Sequence, residues 1–198
     1  MWLLYFDIVP IKYTNRRGET YYLYDGETKT GRPIHYFSMK AGGTLAKALP
    51  CGFEIYESPR RQVFLRKILP KLISDDELAV VEREVARFAR LKGSRVERKL
   101  RVLTVYVADR KEDSMEEVWR LTPWRPRLKD ETARRFWSYE AQLQFVLVDD
   151  KTRLFQARRY CYRGRIDDWI DIGERDSIAA LAKLYILHLE QESYFELF

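Results

Sequence analysis

The chain is poor in the residues that build compact catalytic and metal sites. Its two cysteines, Cys51 and Cys161, lie far apart and form neither a CxxC pair nor a zinc framework. The only histidines are His35 and His188, too few for a triad together with a metal site, and no Ser-His-Asp or Cys-His arrangement emerges without forcing one. Asparagine occurs once, at Asn15. No apolar run reaches the length needed to cross a bilayer; the longest, residues 178–189, is interrupted by Lys183 and His188. The first ten residues are apolar, but they carry Asp7 and lack both a basic leader and a small-residue cleavage site. They read as a buried first strand rather than a signal peptide. The expected compartment is the cytoplasm. Repeats and low-complexity stretches are missing too.

What remains is a chain of ordinary globular make-up, 198 residues long, 46% hydrophobic and 33% charged. That is enough to bury a core without staples and too apolar for intrinsic disorder. Aromatics are abundant, with 13 Tyr, 10 Phe and 5 Trp, and Tyr and Trp add a polar edge that suits binding surfaces. The net charge of +6 comes from 36 Lys and Arg against 30 Asp and Glu. This excess permits an anionic partner without demanding one.

Hydrophobic patterning gives an α+β fold: mainly antiparallel sheet built from hairpins, packed with a central amphipathic helix and a buried C-terminal helix. Strands are expected at residues 2–9, 21–24 and 34–38, with a turn at Asp25-Gly26. Residues 44–49 form at most a short helix, and residues 52–57 and 62–69 form a hairpin around Ser58-Pro59-Arg60-Arg61. The clearest helix spans 75–92. Ser74 and Glu77 make a capping box, Leu78, Val81, Val85 and Phe88 make its apolar stripe, and Gly93 stops it. Residues 96–107 read as one long strand. Residues 108–135 are a charged connection with Pro123 and Pro126 and one short helical turn at 114–120. Residues 136–148 alternate, placing Trp137, Tyr139, Leu143, Phe145 and Leu147 on one face and Ser138, Glu140, Gln142 and Gln144 on the other. Strands follow at 153–162 and 165–172. Asp176 or Ser177 then caps a last helix, apolar nearly all round, that runs to about residue 192. One domain covering 1–198 is the default organisation, with subdomains 1–73 and 74–198 as the alternative.

Four groups of residues could carry chemistry. Asp167, Asp168, Asp171, Glu174 and Asp176 are clustered acids able to hold a hard cation, but a turn and a helix N-terminus favour acids without any metal. Asp167-Asp168-Trp169-Ile170-Asp171 resembles the magnesium-holding motif of terpene synthases. That family is all-helical and carries the motif on a helix, so the resemblance does not extend to the fold. Glu97-Arg98-Lys99 has the Glu-x-Lys spacing of metal-dependent nucleases, whose further acid would have to come from a residue such as Glu54 or Glu57; a solvated strand entrance has the same composition. Lys40-Ala41-Gly42-Gly43-Thr44 lacks the P-loop Gly-Lys-Ser/Thr and reads as a loop that needs positive φ.

The fourth group is Trp119, Arg120, Trp124, Arg125 and Arg127, in the charged connection. Tryptophan beside arginine is the composition of binding surfaces, and it also suits nucleic acid, where rings stack on bases and arginines contact phosphates. Arg60-Arg61, Arg66-Lys67 and Arg158-Arg159 add basic tracts. If Asp150-Lys151 is a two-residue hairpin loop, Gln142 faces Arg159, Glu140 faces Cys161 and Ser138 faces Arg163. Glu140 then neutralises both arginines as diagonal neighbours. The leading expectation is a non-catalytic binding protein that contacts a protein or nucleic-acid partner through the Trp119–Arg127 segment, with no cofactor, no metal and no membrane. A metal-dependent hydrolase or nuclease built on clustered carboxylates, and a structural subunit of an oligomer, are the alternatives.

Overall fold

The computed structural model describes residues 10–109, 137–162 and 165–198. The strand expected at residues 2–9 and the helical turn at 114–120 lie outside the described residues. The fold is α+β, with antiparallel sheets dominant. The chain divides into two compact units, Met1–Ile68 and Leu69–Phe198.

In the first unit, β1 (Lys12–Thr14), β2 (Thr20–Glu27) and β3 (Pro33–Ser38) form an antiparallel sheet in that order. The hairpin β4 (Phe53–Glu57) and β5 (Val63–Lys67) closes around Ser58–Arg61, where Arg61 takes φ +67° and donates its N–H to the Ser58 carbonyl. Two expectations are corrected here. Asp25-Gly26 is not a turn: both residues continue β2 and pair with His35 and Ile34, while the chain reverses at residues 28–32. Once the partner strand supplies hydrogen bonds, the local turn preference loses. Residues 44–49 are not a helix. Leu45 bridges Tyr24, and residues 44–46 take up the β2 ladder where β1 leaves off, through Ala46 N–H to the Leu23 carbonyl and Asp25 N–H to the Thr44 carbonyl. Gly42 and Gly43 adopt φ +128° and +98°, and Gly43 lies flat against the Tyr24 ring, which itself stacks on Tyr36.

The single asparagine is the polar centre of this unit. Asn15 is buried; its amide donates to Glu19 and to the Arg61 carbonyl, and its carbonyl oxygen accepts from the N–H groups of Arg17 and Glu19. Glu57 answers from the other hairpin, accepting from Tyr13 Oη and from both the backbone N–H and the guanidinium of Arg16.

The second unit is a five-stranded antiparallel sheet in the order β10-β9-β8-β7-β6. Its strands are β6 (Arg95–Lys99), β7 (Val102–Asp109), β8 (Ser138–Asp149), β9 (Leu154–Cys161) and β10 (Asp168–Asp176). Helices α1 (Asp75–Ala86) and α2 (Ile178–Tyr185) share one core with one face of the sheet: Val81 and Val85 meet Leu103, Val105, Leu143, Phe145, Phe155, Leu181 and Ile186. Ser74 and Glu77 form both bonds of the capping box. The helix is shorter than its periodicity suggests. It ends at Ala86, and a 3-10 turn, Ala89–Leu91, leads to Gly93 at φ +91°.

Three further expectations change. Residues 96–107 are a hairpin rather than one strand, because Leu100 takes φ +52° and folds β6 back on β7. Trp137 and Tyr139 do not share a face with Leu143, Phe145 and Leu147. Gln142 is an extra residue between the pairs Leu143–Val105 and Ala141–Tyr106, and this bulge inverts the alternation. Trp137 and Tyr139 therefore pack with Ala108 in a separate buried cluster. Finally, α2 is apolar but not buried all round: it stops at Tyr185, and Leu184 and Leu187 are exposed. His188 is only half buried and sits in a 3-10 turn, bonded to Ser193.

Candidate functional site

The residues singled out for binding, Trp119, Arg120, Trp124, Arg125 and Arg127, lie outside the described residues. Their anchors do not. The chain leaves at Asp109, the last residue of β7, and returns through Trp137 and Ser138 at the start of β8; Asp109 and Ser138 are paired across the ladder. Trp137 is buried with its ring against the Gly93 backbone, so closely that a Cβ there would sit 2.3 Å from it. Two rigid neighbouring strands thus hold both ends of residues 110–136.

A pocket of about 400 Å³ opens beside this point, lined by Arg90, Asp109, Glu140, Gln142, Glu190 and Gln191, with Val107 and Ala108 behind them. Gln142, the bulged residue of β8, is part of its wall. Gln142 reaches Glu190 across 3.3 Å, and its backbone carbonyl accepts the Tyr194 hydroxyl. Burial pushes that hydroxyl well above the ordinary tyrosine range, so it stays a donor. Glu190 is held at φ +62°. Arg90 faces Phe88 and donates to the carbonyls of Leu187 and Leu189, fixing the chain that carries Glu190. The wall is polar and rich in carboxylate, which suits hydrogen-bond donors and cationic groups. Among the described residues that line it, no hydroxyl or thiol nucleophile stands with a base.

The other candidates separate. The acids at 167–176 are strung along β10 and its approach. Asp167 accepts from Tyr160, Asp171 pairs with Arg158 at 2.6 Å, Asp168 accepts the N–H of Trp169, and Asp176 that of Ser177. Ser177, not Asp176, caps α2 through the Ala180 N–H. Glu97 and Lys99 stand on β6 opposite Thr104 and Val102, while Arg98 between them bonds the Ile73 carbonyl and Asp75. Among the described residues, no group of three or more His, Cys, Asp or Glu is placed to hold a metal ion. His35 bonds Asp25 at 2.7 Å, and both cysteines are free, Cys51 exposed and Cys161 buried.

The basic tracts are largely absorbed. Arg61 is buried, and Arg66 pairs with Glu54 while lying 3.8 Å over Tyr56. Arg159 is 2% exposed and donates to the carbonyls of Leu197 and Phe195 beneath the Phe198 ring. The pairing expected for it is one residue out. Arg159 faces Leu143, because the turn after β8 is longer than two residues, with Arg153 at φ +54° and an irregularity between Leu147 and Asp149. A bulge or a longer turn shifts register without altering composition, so no count along the sequence reveals it.

Sequence reasoning missed the pocket and a surface cluster of Tyr160, Tyr162 and Trp169. The Tyr-x-Tyr spacing placed two rings on one strand face and was the available signal. The pocket left none, since its lining residues come from sequence-distant segments around residues 90, 107–109, 140–142 and 190–191. Comparison with protein-family models, curated proteins and solved structures finds no match for this chain.

Proposed function

We propose that the protein acts by binding a partner, and that the segment carrying Trp119, Arg120, Trp124, Arg125 and Arg127 is its contact. The observation that carries this reading is the connection between β7 and β8. Adjacent antiparallel strands need about two to five residues to join them; here the chain spends residues 110–136 between two paired ends. A long insertion on a fixed base is the usual place for recognition. Tryptophan and arginine supply contact area and directional hydrogen bonds at low entropic cost.

A protein partner fits better than nucleic acid. Arg16, Arg66, Arg87, Arg98, Arg101, Arg153 and Arg158 are each engaged by a carboxylate, and Arg159 by backbone carbonyls. These eight arginines are therefore already engaged and less available to track a phosphate backbone.

The test is the double substitution Trp124→Ala with Arg125→Ala. Proximity labelling in cells of origin, comparing wild type with variant, should lose a defined set of neighbours while the melting temperature holds within a few degrees. Retention of every neighbour by a folded variant refutes the reading, and so does global unfolding, which would make Trp124 a core residue. A mobility shift with generic single- and double-stranded nucleic acid at low and moderate salt should show no binding.

A further inference from the structure

Trp169 on β10 pairs with Tyr160 on β9, so both side chains rise from the same face of the sheet. Their rings are 5.2 Å apart between centroids and stand at 84°. Tyr162, two residues beyond Tyr160 and on the same side, leans against it at 4.5 Å and 43°. Tyr162 is 69% exposed, and Tyr160 and Trp169 are only half buried. With Trp169 edge-on to Tyr160 and Tyr162 tilted against it, the three partly exposed rings form a corner of π-faces.

The corner has an acidic rim. The Tyr160 hydroxyl is 3.1 Å from the Asp167 carboxylate and also reaches the Asp167 carbonyl, and Asp168 begins β10 beside Trp169. Partial burial, then the bond to Asp167, then the charges of Asp167 and Asp168 hold that hydroxyl above the ordinary tyrosine range. A phenol donating to a carboxylate is more electron-rich over its face, which strengthens its attraction for a cation.

Elsewhere this chain satisfies such faces internally. Arg66 lies over Tyr56, Arg90 over Phe88, and Arg159 over Tyr194 and Phe198. Among the described residues, no Lys or Arg lies over Tyr160, Tyr162 or Trp169, and the neighbouring Arg158 is taken by Asp171.

We propose that the corner of Tyr160, Tyr162 and Trp169 binds an alkylammonium group, most favourably one carrying several methyl groups. A soft, bulky cation loses little hydration on contact with aromatic faces, and it gains from both the ring quadrupoles and the Asp167 and Asp168 carboxylates. The same carboxylates repel phosphates, so a base-stacking platform for nucleic acid does not fit this rim. The proposal is independent of the Trp119–Arg127 reading.

The experiment is an amide and indole NMR titration of the full chain, with the Trp169 indole N–H assigned by its loss in Trp169→Phe. Tetramethylammonium chloride is the probe, sodium chloride at matched ionic strength the salt control, and 3,3-dimethylbutan-1-ol the uncharged isostere. A second arm uses a short peptide bearing trimethyllysine, and the same peptide with unmodified lysine. Saturable shifts of the Trp169 indole with tetramethylammonium, absent with sodium, are expected. Tyr162→Ala should weaken binding roughly fivefold or more, and Asp167→Asn should weaken it in the same direction. Binding of the trimethyllysine peptide tighter than that of tetramethylammonium identifies a lysine side chain as the source, binding equal to it identifies a free quaternary amine, and equal binding of the two peptides overturns the preference for methyl groups. The proposal fails if no saturable shift appears, if the uncharged isostere binds as well as the cation, or if Tyr162→Ala changes nothing while the rest of its spectrum stays native.

Discussion

Single residues in this chain carry geometry that their neighbours cannot absorb. Gly173 sits at φ +58° in the irregular part of β10, and a Cβ placed there would lie 1.9 Å from the Tyr185 hydroxyl on α2. Gln156, buried on β9, donates to the carbonyls of Ala157, Ile172 and Gly173, holding the distorted strand in place. Gly173→Ala must therefore meet both a left-handed backbone and a clash against the core. A loss of about 2 kcal/mol or more is expected in urea unfolding. Tyr185→Phe in the same chain removes the clashing oxygen but not the backbone strain, so the double variant should recover part of the loss and be less than additive. Strict additivity would show that the hydroxyl is not what the new methyl meets. Arg159 illustrates the opposite case: a charge read from sequence as surface is buried to cap the carbonyls of residues 195 and 197.

At the level of elements, ion pairs at its first turn tie α1 to the sheet: Asp75 pairs with Arg98 on β6, and Glu77 with Arg153 at the turn between β8 and β9. Glu77, already bonded to the Ser74 N–H in the capping box, accepts Arg153 through both oxygens. Burial pulls the Glu77 carboxyl upward, but the Arg153 guanidinium and the Ser74 bonds together outweigh it and hold the carboxyl below the ordinary glutamate range. A depressed carboxylate contributes stability above its unfolded pKa and loses it as pH falls through the folded value. Arg153→Ala should therefore cost about 1 kcal/mol at neutral pH, kept modest because the pair is partly exposed and screened. The gap to wild type should close on acidification through the glutamate range. A gap that stays constant with pH would mean that Arg153 acts only by packing. The capping box, the start of the helix read as 75–92 and the hairpin read as 52–57 and 62–69 were legible in the sequence because each is decided within a few residues; the end of that helix at Ala86 was not. The split of 96–107 at Leu100, the inversion of Trp137 and Tyr139 by Gln142, and the off-by-one partner of Arg159 were not. Each turns on a local backbone irregularity or a turn length that leaves the hydrophobic pattern unchanged. The candidate pocket was not legible either, since its lining residues come from sequence-distant segments. The Trp119–Arg127 composition was legible, but what it contacts is not a property of composition.

Across the whole molecule, the described residues of the two units differ in how much apolar surface they bury. The Leu69–Phe198 unit encloses a continuous apolar core running from Ile73 to Tyr194, with Phe145, Phe155, Leu143 and Leu181 fully buried. In the Met1–Ile68 unit, the buried apolar side chains among the described residues are Leu23, Tyr24, Ala46 and Val63. Asn15 and Glu57 link its β4-β5 hairpin to the β1-β2-β3 sheet through polar contacts. Burial of apolar area is the larger stabilising term in most domains, whereas a net hydrogen bond contributes about 1 kcal/mol and a broken buried one costs about 1–3 kcal/mol. Backbone amides of residues 10–68 should therefore exchange through lower-energy openings than those of β7, β8 and β9. Asn15→Ala removes the side-chain donors to Glu19 and the Arg61 carbonyl and the acceptor for two N–H groups, leaving one buried and several partly buried polar groups without that partner at once. Native-state hydrogen exchange should show protection falling by about tenfold or more across residues 10–68, while β7 to β9 keep their wild-type rates. An equal loss of protection in both regions would mean that the chain unfolds as one cooperative body. In that case Asn15 would be stabilising the whole molecule rather than its own unit.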